Sequence, residues 1–204
     1  MKGEFVVETT KRILLDGEWK LSFTEPFGGE NIETVATVPC NVEPILQRLG
    51  LVADYMPPDQ PHATTPFTAV DDWCFERTFD APALPAGWQR ELVLEGIDTV
   101  AEVYLNGEKL MDAMNMHMTY KADVTDKLLP TGNHLRVVIR SSELWARNHP
   151  QDSFVEQSGY PGFYNSHTFL RKARHQWGWD NAPRLLSAGI VRSVYLQDLP
   201  PLPL

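Results

Sequence analysis

Apolar side chains in this chain recur at every second position, in short runs bounded by turn residues. Trp19, Leu21 and Phe23 alternate with Lys20 and Ser22. Trp73, Phe75, Arg77 and Phe79 share one parity, with Cys74, Glu76 and Thr78 on the other. Leu135, Val137 and Ile139 do the same within LRVVIR. A period of two sends neighbouring side chains to opposite faces of a strand, so each run offers one face to a core and one to water. Further β-prone runs cover Arg12–Leu15, Thr34–Val38, Arg90–Leu94, Val100–Leu105, Thr119–Val124 and Ile190–Leu196. Asn106-Gly107, between VAEVYL and EKL, is a strong hairpin signal because both turn positions require positive φ. Helical pattern is confined to Val42–Leu49, stopped by Gly50, and Glu143–Arg147, cut by Pro150. About eight short alternating strands with little helix predict an all-β antiparallel β-sandwich, with a jelly roll as the expected topology. Spacing alone does not separate that topology from an immunoglobulin-like sandwich.

A sandwich of 204 residues fits within one domain, and 43% hydrophobic against 22% charged residues is enough for a substantial core. The domain is read as residues 1–198, with 199–204 (LPPLPL through its end) as the start of a proline-rich linker. The net charge of -9, without a basic stripe, argues against nucleic acid and against an anionic membrane as partners. No apolar run is long enough to span a bilayer, and the N-terminus lacks a signal-peptide pattern, so the expected location is cytoplasmic. Cys40 and Cys74 are too few for a disulfide framework. None of the six histidines pairs with a second His or Cys at ligand spacing, so no metal and no cofactor is expected. Calcium held by backbone carbonyls would leave no trace in the sequence and stays open.

Two long irregular stretches, residues 53–70 and 148–168, and one aromatic loop stand apart from the alternation. The loop reads Trp177-Gly178-Trp179-Asp180-Asn181-Ala182-Pro183-Arg184. Gly178 and Pro183 break regular structure there, and a loop mounted on a strand is where a rigid scaffold presents a site. Indole faces stack on sugar C–H surfaces, while carboxylates and amides meet sugar hydroxyls. Trp177, Trp179, Asp180 and Asn181 therefore have the chemistry of candidate substrate-binding residues at close range. The same loop reads equally as packing, with both tryptophans in the core and Asp180 meeting a local partner. A glycosidase needs a second carboxylate facing the first. Asp152 and Glu156 have nothing to distinguish them from solvated loop charges, so no catalytic residue is assigned in this chain. Arg171, Lys172 and Arg174 are read as neutralising nearby carboxylates. No phosphate-binding glycine run and no nucleophile elbow is present.

The segment RKARHQWGWDNAPRLLSAGIVRSVYL resembles the end of the N-terminal domain of family 2 glycoside hydrolases, the β-mannosidase branch in particular. There Arg-Lys is followed by Gly-Trp-Asp-Trp-Gly-Pro-Arg and a Gly-Ile strand. LDGEWKLSF, VPCNVEPILQRLGLVADY, DDWCFERTFDAP, LEGIDTVAEVYLNGEKL and NMHMTYKADVTDKL resemble the family's preceding elements in order. The resemblance implies a galactose-binding-like jelly roll, followed by an immunoglobulin-like domain and a TIM barrel that carries both catalytic glutamates of a retaining mechanism. It implies a β-glycoside as ligand, with Trp179 and Asp180 reaching the sugar in the -1 subsite and Trp177 packing. The pattern departs at Asn181 and Ala182, where β-mannosidases usually carry Trp and Gly. The resemblance thus implies a β-glycosidase of this branch rather than one fixed glycone. A free-standing carbohydrate-binding module is the alternative.

Overall fold

The computed structural model describes residues 10–52, 67, 70, 72–148, 170–177 and 185–201. Two antiparallel sheets face each other. The smaller has the order β1 (Lys11–Leu14), β12 (Val194–Leu199), β5 (Gln89–Leu94), β9 (Tyr120–Asp123). The larger has the order β3 (Asn31–Val38), β2 (Gly17–Thr24), β4 (Trp73–Phe79), β10 (Asn133–Arg140), β7 (Val100–Leu105), β8 (Glu108–Ala113). A two-stranded patch joins β6 (Ile97–Asp98) to β11 (Gly189–Ile190). The helices are short: α1 (Glu43–Arg48), α2 (Ser142–Asn148) and a 3-10 turn over Arg174–Trp177.

The alternation in the sequence is the alternation in the fold. Trp19, Leu21, Phe23, Trp73, Phe75, Phe79, Leu135, Val137 and Ile139 all point into the core between the sheets, where they meet Leu92, Leu94, Val194 and Leu196 from the opposite layer. Phe23 and Trp73 pack with ring centroids 4.6 Å apart. Arg77, on the same parity, sits only half-buried, and its Nη1 donates to the carbonyls of Asp16 and Glu18, each at 3.0 Å. A position at the sandwich rim lets the long aliphatic stem stay with the core while the guanidinium closes the β1–β2 turn. The Asn106-Gly107 hairpin forms as expected, with φ of 53° and 88°.

One strand differs from the sequence reading. The run Ile190–Leu196 is not a single strand: it breaks at Val191–Ser193, and its halves belong to different sheets. The cause is local. Val191 donates its N–H to the Gly96 carbonyl at 3.0 Å, and the Arg192 stem lies over Gly96, where there is no side chain to displace it. The chain thereby leaves β6 and crosses to β5.

Beside the main core lies a second cluster of Val100, Ala146, Leu170, Trp177 and Leu186, with Trp145 half-buried against it. It fastens the segment 170–177 to the end of β7.

Candidate functional site

Trp179, Asp180 and Asn181 lie outside the described residues, as do Asp152 and Glu156. What the structure describes is the base on which residues 178–184 are mounted. On the approach, Leu170 and Lys172 are buried while Arg171 is exposed, an alternation fixed by the bridge between Asn115 and Arg171. The Met116 N–H donates to the Arg171 carbonyl at 3.0 Å. The 3-10 turn then buries Trp177 to 5% exposure, which makes it a packing residue, as expected.

The basic cluster divides. Arg171 and Arg174 face solvent, whereas Lys172 is wholly enclosed. Its ammonium spreads three protons over three acceptors: Asp98 Oδ1 at 2.5 Å, the Ser187 carbonyl at 2.6 Å and Thr99 Oγ1 at 3.4 Å. Thr99 turns its own hydroxyl proton to Asp98 Oδ1, leaving its lone pairs toward Lys172. Asp98 Oδ2 accepts from Gln176 Nε2 at 3.0 Å, and Gln176 Oε1 accepts from the Ser187 N–H at 3.1 Å. The Ser187 hydroxyl donates to Glu43 Oε2 at 2.9 Å. Dehydrating an ammonium and a carboxylate costs several kcal/mol each, and the pair is sustained only where every donor and acceptor is met. Here they are met.

Burial draws the Lys172 ammonium below its ordinary value, and Asp98 pulls it back up. Burial also raises the Glu43 carboxyl, with Ser187 and Lys172 opposing. Nearby, Cys40 is pushed up to about 11 by burial and by the Glu43 charge, so its thiol stays protonated.

Sequence reasoning assigned Lys172 a carboxylate without naming it, and passed over Asp98, Gln176, Ser187 and Glu43. A signal existed for Asp98: a carboxylate between Ile97 and Val100 in a strand-like run requires a partner when buried. Its lysine stands 74 positions away, so no local spacing joins the two.

Two other hollows are weaker candidates. A polar groove of about 810 Å³ on the outer face of the six-stranded sheet is lined by Glu18, Lys20, Glu76, Arg77, Thr78 and His134. Its polar groups partner one another or nearby groups, as in the Lys20–Glu33 ion pair at 2.6 Å and the His134–Glu76 contact at 3.2 Å, which marks a solvated sheet face. A hollow of about 400 Å³ at Trp88 and Pro85 has Asp198 as its carboxylate, and Arg90 holds that group on both oxygens. Among the described residues, no three His, Cys, Asp or Glu side chains converge as a metal site would require.

Two facing antiparallel sheets with little helix define an all-β sandwich. Residues 19–192 match the family described as glycosyl hydrolase 2 galactose-binding domain-like, and the chain is a member of that family. Beta-mannosidase B of Aspergillus terreus is 37% identical over 131 residues, 61% of this chain and 15% of that protein. Beta-mannosidase B of Emericella nidulans is 29% identical over 204 residues, 92% of this chain and 22% of its relative. The crystal structure of a beta-D-mannosidase from Dictyoglomus thermophilum superposes with a TM-score of 0.75 at 30% identity, covering 91% of this chain and 22% of that one. This chain therefore spans about a fifth or less of the length of these relatives.

Proposed function

We propose that this chain is the sugar-binding domain of a retaining β-glycosidase of the β-mannosidase type, and that it completes the -1 subsite of an active site whose catalytic glutamates lie on a TIM barrel outside these 204 residues. An immunoglobulin-like domain connects the two. Asp180 accepts hydrogen bonds from glycone hydroxyls, Trp179 covers a sugar face, and Asn181 contributes its amide. The carrying observation is the agreement with β-mannosidases through the whole domain, together with a loop base built from fixed, fully satisfied charges. A polar contact contributes most to a transition state when water is excluded and the group need not reorganise. A locked base serves that requirement.

In the glycosidase that contains this domain, Asp180→Ala is expected to lower kcat/KM by about 10²-fold, the effect of losing hydrogen bonds in a desolvated pocket. The assay is hydrolysis of a panel of chromogenic β-glycosides, with the 204-residue chain alone as control. A loss below threefold removes Asp180 from the subsite. Hydrolysis by the isolated chain refutes the division of labour. Tight sugar binding by that chain favours a free-standing carbohydrate-binding module.

A further inference from the structure

Gln176 is a member of the buried network whose contacts lie on both sides of residues 177–184. Its backbone carbonyl accepts from the Leu185 N–H at 2.9 Å, and its side-chain oxygen accepts from the Ser187 N–H at 3.1 Å. Its side-chain nitrogen donates to Asp98 at 3.0 Å. Asp98 is itself held by Lys172, which grips the Ser187 carbonyl from the other side. One residue thus ties the chain entering the loop to the chain leaving it, and ties both to the two-stranded patch.

Packing is already supplied by Leu170, Trp177 and Leu186 in the second cluster. A buried ionic network adds little net stability over apolar side chains of the same size. Its directional bonds do something packing does not: they set where two backbones stand relative to each other. We propose that Gln176, backed by Lys172 and Asp98, is a positioning residue that fixes the spacing and direction of the two chain ends carrying Trp179, Asp180 and Asn181. It thereby sets how those side chains reach a glycone. The inference rests on the reading of that loop as part of a sugar subsite. Displacements of about 1 Å in a reacting geometry cost on the order of 10²-fold in rate, so a remote clamp matters to turnover.

Lys172 and Asp98 are too deeply buried for clean substitution, whereas Gln176 is half-buried. Gln176→Met keeps volume and removes both side-chain bonds; Gln176→Asn keeps the amide on a shorter arm and serves if the first variant does not fold. Amide hydrogen exchange on the 204-residue chain should show the amides of Leu185 and Ser187 exchanging about tenfold faster. Those of β4, β7 and β10 should keep their rates. No local acceleration, or an equal acceleration everywhere, overturns the proposal. In the glycosidase, Gln176→Met should lower kcat/KM about tenfold, and that loss should vanish in an Asp180→Ala background. Additive losses would reduce Gln176 to a stability residue. Should Asp180→Ala alone cost less than threefold, the subsite reading fails, and the exchange result still decides the clamp.

Discussion

Gly189 offers the sharpest test of how the site's foundation is built. A Cβ placed there would stand 2.1 Å from the Cys40 carbonyl oxygen, 3.0 Å from Asn41 Cα and 3.1 Å from the Cys40 carbonyl carbon. All three are backbone atoms, so no rotamer change relieves the contact. The backbone is also held on either side: the Cys40 N–H donates to Ile190 at 2.8 Å and the Val42 N–H to Ala188 at 2.9 Å. Making room for a methyl group requires a shift of about 1 Å and weakens both bonds. Overpacking costs about 1–3 kcal/mol and each backbone bond about 1 kcal/mol, which places Gly189→Ala near 2–4 kcal/mol. For a domain of this size that is a fall in Tm of roughly 4–16 °C. The assay is urea unfolding followed by tryptophan fluorescence, with Gly29→Ala as the control. Gly29 has φ of +71° but nothing within 4 Å of its Cβ position, so alanine there costs only the backbone preference, about 1 kcal/mol. The reasoning is refuted if Gly189→Ala loses no more stability than Gly29→Ala at equal m-value.

The buried pair of Arg90 and Asp198 joins Nε to Oδ1 at 2.5 Å and Nη2 to Oδ2 at 2.9 Å. Arg90→Met should cost about 3–5 kcal/mol by stranding the carboxylate, and adding Asp198→Leu should recover most of it; calorimetry showing the double variant as unstable as the single would contradict this. Glu43 has its carboxyl raised above the ordinary 4.5 mainly by burial, so the folded chain binds that proton more tightly than the unfolded one. Its ionisation opposes folding at neutral pH, and that cost is withdrawn as pH falls through the raised value toward 4.5. Glu43→Gln should therefore be more stable than the parent at pH 7 and should lose the advantage as pH approaches 4.5; an advantage unchanged across that interval would show that burial does not act on this group.

The sandwich was legible because its strands carry a strict period of two and its hairpin carries Asn-Gly, both local properties. Trp19, Phe75 and Ile139 needed no partner to be placed facing inward. The break in the last strand was illegible for the opposite reason. Ile190–Leu196 reads as one β-prone run interrupted only by Arg192 and Ser193, and what divides it is Gly96, distant in sequence, admitting the Arg192 stem. The site's foundation was visible only in part. Lys172 stood out as a charge needing a partner, yet its solution assembles Asp98, Gln176, Ser187 and Glu43 from four separate segments. Such networks obey satisfaction rules rather than spacing rules, so they emerge with the tertiary fold.

The course of β12 has a mechanical consequence. Val194, opposite Leu94, lies toward the clamp; Leu199, opposite Gln89, lies at the far end beside Lys11 and its partner Asp198. At about 3.3 Å per residue the strand carries the chain roughly 17 Å away from the clamp. Any catalytic body that takes a sugar together with Asp180 must be brought back along the flank of the sandwich. In the proposed arrangement, the connection after Leu199 needs a minimum contour of about five extended residues before it draws level with the clamp. In that arrangement, shortening the connection would draw the proposed subsite apart while leaving every side chain in it untouched.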